Sequence, residues 1–524
     1  MALMNHLIHD SLFESAARTP AAEALAYGDR RCSYAQLAAQ VRAVAALLLR
    51  AGLEPGARVA VYMEKRIENV AAMFGAAAAG CVFVPVNPLL KPEQVAYILA
   101  DCNVRLLVTT AERLAQLAPV LERCPDLRAV LLADGDRAAV AAESSVLAWP
   151  AEEPAQLAPH RRIDTDVAAI LYTSGSTGQP KGVVLSHRNM VAGAQSVASY
   201  LDLRADDRLL AVLPLSFDYG LSQLTTAFLR GASVVLMNYL FPKDIVAMVA
   251  RERITGLAAV PPLWIALARL AWPAGCTLRF ITNSGGAMPV PTVQALREAL
   301  PHTQIFLMYG LTEAFRSTYL PPDEVARRPD SIGRAIPNAE ILVVRPDGSL
   351  CDADEPGELV HRGALVALGY WNDPARTAQR FRPAPGQDAG LPVPELAVWS
   401  GDTVRRDADG YLYFIGRSDD MIKVSGYRIS PTEIEAVLHA TGLVAEVAAF
   451  GIDHPQLGQA IAVIAVPVDE GSIDTAALLA ECKRHLPAYM VPARIDLRTG
   501  PLPRNPNGKI DRNLLRHTLQ TNEA

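Results

Sequence analysis

No apolar run in this sequence is long enough to cross a bilayer. The longest uncharged stretch, Val70 to Val86, falls short of the roughly 20 residues a spanning helix needs, and it is broken by Gly75 and Gly80 and closed off by Pro88. It reads as a buried helix running into a buried strand. No basic segment followed by an apolar core stands at the N-terminus, so no signal peptide is visible and a cytoplasmic location is expected. The seven cysteines, Cys32, Cys81, Cys102, Cys124, Cys276, Cys351 and Cys482, are odd in number, scattered and without a CxxC pair. That spacing excludes a disulfide framework and a cysteine-based zinc site. Basic runs are missing as well: 49 basic against 55 acidic residues give a net charge of −6, which argues against a general nucleic-acid binder. Internal repeats and low-complexity tracts are absent, although Pro383 to Pro394 is a Pro/Gly-rich loop.

At 524 residues the chain is too long for one core, and 51% apolar with 20% charged residues is ordinary for a globular protein. Short β-branched runs alternate with helical patterns, as in Arg58-Val-Ala-Val-Tyr, Val82-Phe-Val-Pro-Val, Val104-Arg-Leu-Leu-Val and Ala129-Val-Leu-Leu. Such alternation predicts an α/β fold with largely parallel sheets. From about Glu340 closely spaced strand and turn signals predict a β-rich subdomain. Beyond Gly416 a helix opening at Pro431, two strands and a helix near Thr475 predict a compact α+β unit. The expected division is a large N-terminal domain of layered α/β subdomains over 1–417 and a small C-terminal α+β domain over 418–524.

The strongest chemical signal is Leu171-Tyr-Thr-Ser-Gly-Ser-Thr-Gly-Gln-Pro-Lys-Gly182. Thr173, Ser174, Ser176 and Thr177 offer hydroxyls, Gly175, Gly178 and Gly182 let backbone N–H groups converge on an anion, and Lys181 adds charge. No Gly-Lys-Ser/Thr follows at Walker A spacing. The apolar run before the loop and Gly182-Val-Val-Leu after it predict a phosphate loop joining two strands.

With this loop, Ser284-Gly-Gly-Ala-Met-Pro289, Met308-Tyr-Gly-Leu-Thr-Glu313, Ser400-Gly-Asp402, Gly416-Arg-Ser-Asp-Asp420 and Pro503-Arg-Asn-Pro-Asn-Gly-Lys509 follow in order. In this the chain resembles the adenylate-forming enzymes: acyl-CoA synthetases, peptide-synthetase adenylation domains and firefly luciferases. The resemblance implies ATP-dependent activation of a carboxylic acid as an acyl-adenylate, then transfer to a pantetheine thiol of CoA or of a carrier protein. It also implies the site residues. Thr173, Ser174, Gly175, Ser176, Thr177, Gly178 and Lys181 would hold phosphates. Gly285, Gly286 and Ala287 would let adenine lie against backbone, with Tyr309 stacked on its other face. Thr312 would donate to a phosphate, Glu313 would hold Mg²⁺, and Asp402 and Arg417 would bind the ribose. Lys509 would stabilise charge on the carboxylate and α-phosphate. Asp419 matches the hinge about which the small domain turns between half-reactions, making it mobile, and Gly426 would line the thiol channel in the second pose.

The acyl pocket departs from common acyl-CoA synthetases: Leu213-Pro-Leu-Ser-Phe-Asp-Tyr-Gly220 places Phe217 and Asp218 where a histidine and a glycine often stand. Phe-Asp resembles amino-acid-activating adenylation domains, in which the aspartate pairs with the substrate ammonium. A carboxylate in an apolar pocket is costly without a positive or hydrogen-bonding partner, so an amino acid is expected; the alternative is that Asp218 bonds to backbone or water. Gly310 and Arg316 complete the expected acyl side. Arg316 has three open readings: a substrate carboxylate, a CoA phosphate, or a neighbouring acid. In finer detail the segments around Asp218 and Thr312 look like a bacterial branch named as acyl-CoA ligases of exosortase and exopolysaccharide gene clusters. The chain ends soon after Lys509, so a carrier protein is expected to be a separate partner. An amine acceptor giving an amide, and an inactive scaffold, are the competing readings; intact Lys509, Glu313 and Asp402 speak against the scaffold.

Overall fold

The computed structural model describes residues 6–134, 145–150, 158–173, 180–388, 390–417, 420–424, 427–454, 458–469, 474–486, 490–505 and 508–521. Ser174, Gly175, Ser176, Thr177, Gly178, Asp419 and Gly426 lie outside these residues.

The alanine-rich segment expected to be buried is a helix, Ile67–Ala79, with every residue buried and Gly80 closing it at φ 80°. Ala and Gly along one face let it approach the helix Tyr34–Arg50 closely: a Cβ on Gly75 would lie 2.6 Å from Val44 Cγ1. The partner helix starts where Ser33 accepts from Gln36 N and Gln36 returns a bond to Ser33 N, a reciprocal cap that satisfies two free donors. This helix pair lies between two sheets, and both contribute to one continuous core.

The first sheet has a parallel centre, Glu23–Tyr27, Ser233–Leu236, Arg208–Ala211, Gly256–Ala259, Phe280–Asn283 and Gln304–Tyr309, in that spatial order. Beyond Gln304–Tyr309 the pairing turns antiparallel through Thr318–Leu320 and Ser331–Ala335. It continues into Leu412–Arg417, Leu396–Arg406, Gly357–Gly363 and Ala339–Val344, the β-rich region expected after Glu340. The second sheet runs Gly369–Tyr370, Lys181–Ser186, Val167–Thr173, Val82–Pro85, Arg58–Tyr62, Val104–Thr109, Ala129–Leu132 and Ser145–Ala148. Here Val167–Thr173 and Lys181–Ser186 are antiparallel, with Thr173 opposite Lys181.

A third, five-stranded sheet forms the small C-terminal domain around Val444–His454 and Gly458–Pro467. The helices Pro431–Ala440 and Thr475–His485 cover it, and Ile434, Leu438, Val447, Ile461, Val463 and Leu478 make its own core. The Ser430 hydroxyl donates to Ile415 O, and Thr432 Oγ1 donates to the same oxygen at 3.1 Å, tying this domain to the strand Leu412–Arg417. The whole is a mixed α/β chain with a large N-terminal and a small C-terminal domain. Among the described residues no helix is long and apolar enough to cross a membrane.

The loops that follow the parallel strands of the first sheet emerge at the strands' carboxyl ends, where open α/β sheets bind ligands. One depends on a missing side chain. Gly220 stands in the first turn of the helix Asp218–Arg230, and a Cβ there would fall 2.0 Å from Pro214 O. Gly220→Ala is therefore expected to force the Pro214–Phe217 loop off the helix and to cost about 3 kcal/mol of stability. Chemical denaturation measures this; an unchanged midpoint would mean that the loop yields freely.

Candidate active site

Strand ends from both large sheets and one loop of the small domain meet in a single cleft. Tyr309 ends a parallel strand, and Gly310 to Glu313 turn sharply after it. A Cβ on Gly310 would lie 3.2 Å from Arg316 Cα. Between Ala314 and Arg316 the chain makes a three-residue turn, with Arg316 N donating to Ala314 O at 2.6 Å and Phe315 at φ 57°, ψ −51°. That is the rare, strained form of the γ-turn, and the turned residue is a fully buried phenylalanine. The turn drives Arg316 inward until only 1% of it remains exposed.

There Arg316 meets Asp218. Its Nη1 donates to Asp218 Oδ2 at 2.8 Å and to Phe315 O at 2.8 Å, while Thr312 Oγ1 donates to Asp218 Oδ1 at 3.2 Å. The guanidinium also lies over the Tyr219 ring, 4.6 Å from its centroid. Arg316 thus supplies a positive partner for the buried Asp218 carboxylate, and of the three readings of Arg316 the contact made in the structure is the one with the neighbouring acid. Arg316 Nε and Nη2 nevertheless find no acceptor among the described residues. Behind the turn, Ser317 Oγ pairs with His361 Nδ1 at 2.9 Å, and burial lowers the His361 pKa to about 3, so this imidazole is neutral at physiological pH.

A second group surrounds Glu313. Lys181 Nζ donates to Glu313 Oε1 at 2.8 Å and to Tyr370 Oη at 2.7 Å, and the Tyr370 hydroxyl donates to Glu313 Oε1 at 2.6 Å. Arg380 Nε stands 3.9 Å from the same oxygen. Desolvation pushes the Glu313 pKa up, but Lys181 and Arg380 outweigh it and bring it down to about 2. Glu313 is thus an ionised hard-oxygen donor. Among the described residues no three His, Cys, Asp or Glu side chains gather as a metal site. One carboxylate completed by phosphate oxygens and water is the pattern by which Mg²⁺ is held, and Glu313 fits it. Thr173, opposite Lys181, buries an Oγ1 with no partner among the described residues.

The third group holds Asp402. The Tyr309 hydroxyl donates to Asp402 Oδ2, and Arg417 Nε, opposite in strand register, lies 3.5 Å from Oδ1. Burial raises the pKa of Asp402 against the opposing effect of Arg417, and burial with Asp402 raises that of Tyr309. Of the residues expected to flank adenine, Gly286 and Ala287 are exposed, and Gly285 takes φ 85°. A Cβ on Gly285 would lie 3.6 Å from Phe217 Cζ and 4.0 Å from Lys509 Cε.

Lys509 brings the small domain into the cleft. Its turn is held by Asn505, whose Oδ1 accepts from Lys509 N at 3.1 Å and whose N donates to Lys509 O at 2.8 Å. The residue keeps exposed surface, yet its pKa is lowered, by desolvation first and then by Arg417, against the pull of Asp218, Asp402 and Glu313. Of the residues expected at the site, Asp218, Thr312 and Arg316 meet one another, as do Lys181 with Glu313 and Tyr309 and Arg417 with Asp402, while Lys509 stands beside Gly285. Tyr370 and Arg380 join Glu313, although nothing in the sequence from Gly369 to Arg380 marks them: strand pairing with Lys181–Ser186 is what brings Tyr370 in.

The family model for AMP-binding enzymes matches residues 12–371, and the model for the AMP-binding enzyme C-terminal domain matches 433–509. Similar curated proteins include an L-proline–[L-prolyl-carrier protein] ligase of Pseudomonas fluorescens, 32% identical, with 97% of this chain and 98% of that protein covered. Another is tyrocidine synthase 3 of Brevibacillus parabrevis, 32% identical, with 98% of this chain and 8% of that protein covered. The chain spans 6 to 14% of the length of the first curated relatives it matches. Among solved structures, the anthranilate CoA ligase AuaEII in complex with anthranoyl-AMP superposes with a TM-score of 0.88 at 27% identity, covering 98% of each chain.

Lys181→Met tests the charge balance around Glu313. The folded pKa of about 2 lies below the ordinary 4.5. The unfolded chain therefore binds more protons between those values, and the contribution of Glu313 to stability is complete above pH 4.5 and lost as pH falls through 2. Removing the lysine strands a buried carboxylate and is expected to cost about 3 kcal/mol at neutral pH. It should also flatten the rise in stability across that acid window, which melting temperatures measured against pH will reveal.

Proposed function

The chain belongs to the AMP-binding enzyme family, and from that membership we propose that it condenses a carboxylic acid with ATP and passes the acyl group to a thiol. In the first half-reaction a carboxylate oxygen forms a bond to the α-phosphorus, the α–β anhydride breaks, and pyrophosphate leaves. In the second the thiol sulfur attacks the acyl carbonyl and AMP departs. The carrying observation is the convergence of Lys509 with Asp218, Asp402 and Glu313 from separate parts of the chain. Lys509 would face the reacting carboxylate and α-phosphate. Tyr309 and Gly285 to Ala287 would flank adenine, and Asp402 with Arg417 would take the ribose hydroxyls in place of the Tyr309 contact. Lys181, Thr173 and Thr312, with Ser174 to Gly178, would bind the phosphates. Mg²⁺ held by Glu313 would offset the charge of the departing pyrophosphate. The acceptor is read as pantetheine, on CoA or on a separate carrier protein, in keeping with the carrier-protein and CoA ligases the chain is similar to.

The acid is read as one bearing a polar group beyond its carboxyl. Asp218 spends one bond on each oxygen, leaving further lone pairs, and Arg316 keeps Nε and Nη2 without acceptors among the described residues. An amine, a hydroxyl or a second carboxyl would satisfy that pair; an alkyl chain would not. Domain boundaries at 417/418, a hinge at Asp419, a thiol channel past Gly426 and a cytoplasmic location complete the reading.

Lys509→Ala is expected to reduce adenylation about a hundredfold, from the loss of roughly 3 kcal/mol of charge stabilisation. Thioester formation from a supplied acyl-adenylate should be spared, because the lysine serves one pose only. Equal loss in both half-reactions would sink the two-pose reading. Pyrophosphate exchange across amino, hydroxy, dicarboxylic and plain fatty acids tests the pocket. Polar acids should lead by up to roughly 10⁴-fold, and Asp218→Ala should erase the lead. Robust exchange with fatty acids alone would reject this reading of the acid while leaving the adenylation chemistry standing.

A further inference from the structure

Tyr370 has no part in the proposed reaction, yet its side chain is held as firmly as any in the cleft. Its N–H donates to Thr377 Oγ1 at 2.9 Å, and its ring packs edge-on against Phe381 with centroids 5.6 Å apart. Strand pairing sets Gly369 opposite Val184 and Tyr370 opposite Val183, two residues from Lys181. The phenol thus reaches Lys181 and Glu313 at once. The distances of 2.6, 2.7 and 2.8 Å close a triangle in which each of the three groups bonds to the other two. The lysine ammonium also lies 4.3 Å from the Tyr370 ring centroid.

In that triangle the group assigned to phosphate and the group assigned to the metal neutralise each other. A phosphate arriving alone must draw Lys181 away and leave Glu313, only 5% exposed, with only Arg380 at 3.9 Å to answer its charge. A cation arriving alone must draw Glu313 away and leave the ammonium unpaired. Arriving together, they exchange one ion pair for two. We propose that Tyr370 is a positioning residue which seals the Lys181–Glu313 pair, so that the site admits nucleotide and divalent cation jointly and resists metal-free ATP. This rests on the assignment of Lys181 and Glu313 to the nucleotide–metal site. The hydroxyl is the specific element: it donates to the carboxylate and accepts from the ammonium, so its loss weakens the closed state from both sides while the open state keeps its own ligands. Because such coupling is reciprocal, bound nucleotide should tighten Mg²⁺ binding to the protein by the same factor as Mg²⁺ tightens nucleotide binding.

The test is equilibrium binding of a fluorescent N-methylanthraniloyl ATP to the full chain, in EDTA and in excess Mg²⁺. The wild type is expected to favour the Mg²⁺ complex by about tenfold or more. Tyr370→Phe keeps the ring against Phe381 and should tighten metal-free binding by about fivefold while leaving the Mg²⁺ complex within about twofold. Glu313→Gln, which removes the charge but not the shape, should also tighten metal-free binding, and adding Tyr370→Phe to it should bring no further gain. An unchanged ratio in Tyr370→Phe, or equal weakening of both complexes, overturns the seal and leaves the nucleotide site intact. Failure of the wild type to bind the probe under either condition overturns the site assignment, and the seal with it.

Discussion

A carboxylate withdrawn from water must meet a cation or several donors, and that constraint arranges the cleft. Asp218, Glu313 and Asp402 are all buried, and each is answered from elsewhere in the chain: by Arg316, by Lys181 and by Arg417. A neutral donor completes each group, Thr312 in the first, Tyr370 in the second and Tyr309 in the third. The protein therefore satisfies these charges within itself, and any ligand that binds to one of these groups must exchange partners with it.

The architecture supplies those partners by bringing strand ends together. Lys181 begins one strand of the second sheet, and Tyr309 ends one strand of the first. Asp402 and Arg417 face each other in the antiparallel extension, and Lys509 enters on a turn of the third sheet's domain. None of these groups is a sequence neighbour of its partner. Rigid strands set the distances, and the connecting turns, some of them strained, set the directions.

Much of this was legible in the sequence, for reasons that can be named. Alternation of β-branched runs with helical patterns located the strands around Val59, Val84 and Leu107, and the buried helix after Ile67. A loop of small residues between two apolar runs marked the antiparallel pair that ends at Thr173 and begins at Lys181, and the ordered motifs marked the residues that converge. Pairing across distance was not legible. Arg316 and Asp218 are 98 residues apart, and neither carries a local sign that the other is its partner. Tyr370 was hidden for the same reason, since it reaches Glu313 across 57 residues through a two-residue strand. The γ-turn at Phe315 was invisible because bulky residues seldom adopt its conformation.

The enclosed pair of Asp218 and Arg316 has a bearing on ancestry. If the pocket is to be remodelled for a different acid, both residues must change, and mutation supplies changes singly. Either intermediate carries a lone buried charge, at a cost of about 3–5 kcal/mol, a large share of the roughly 5–15 kcal/mol that separates a folded domain from an unfolded one. Descent through that intermediate is open only to a lineage already carrying surplus stability, or to one in which a neighbour changes first. The pocket should then be inherited as a unit, with positions 218 and 316 changing together or staying fixed among the descendants of this chain.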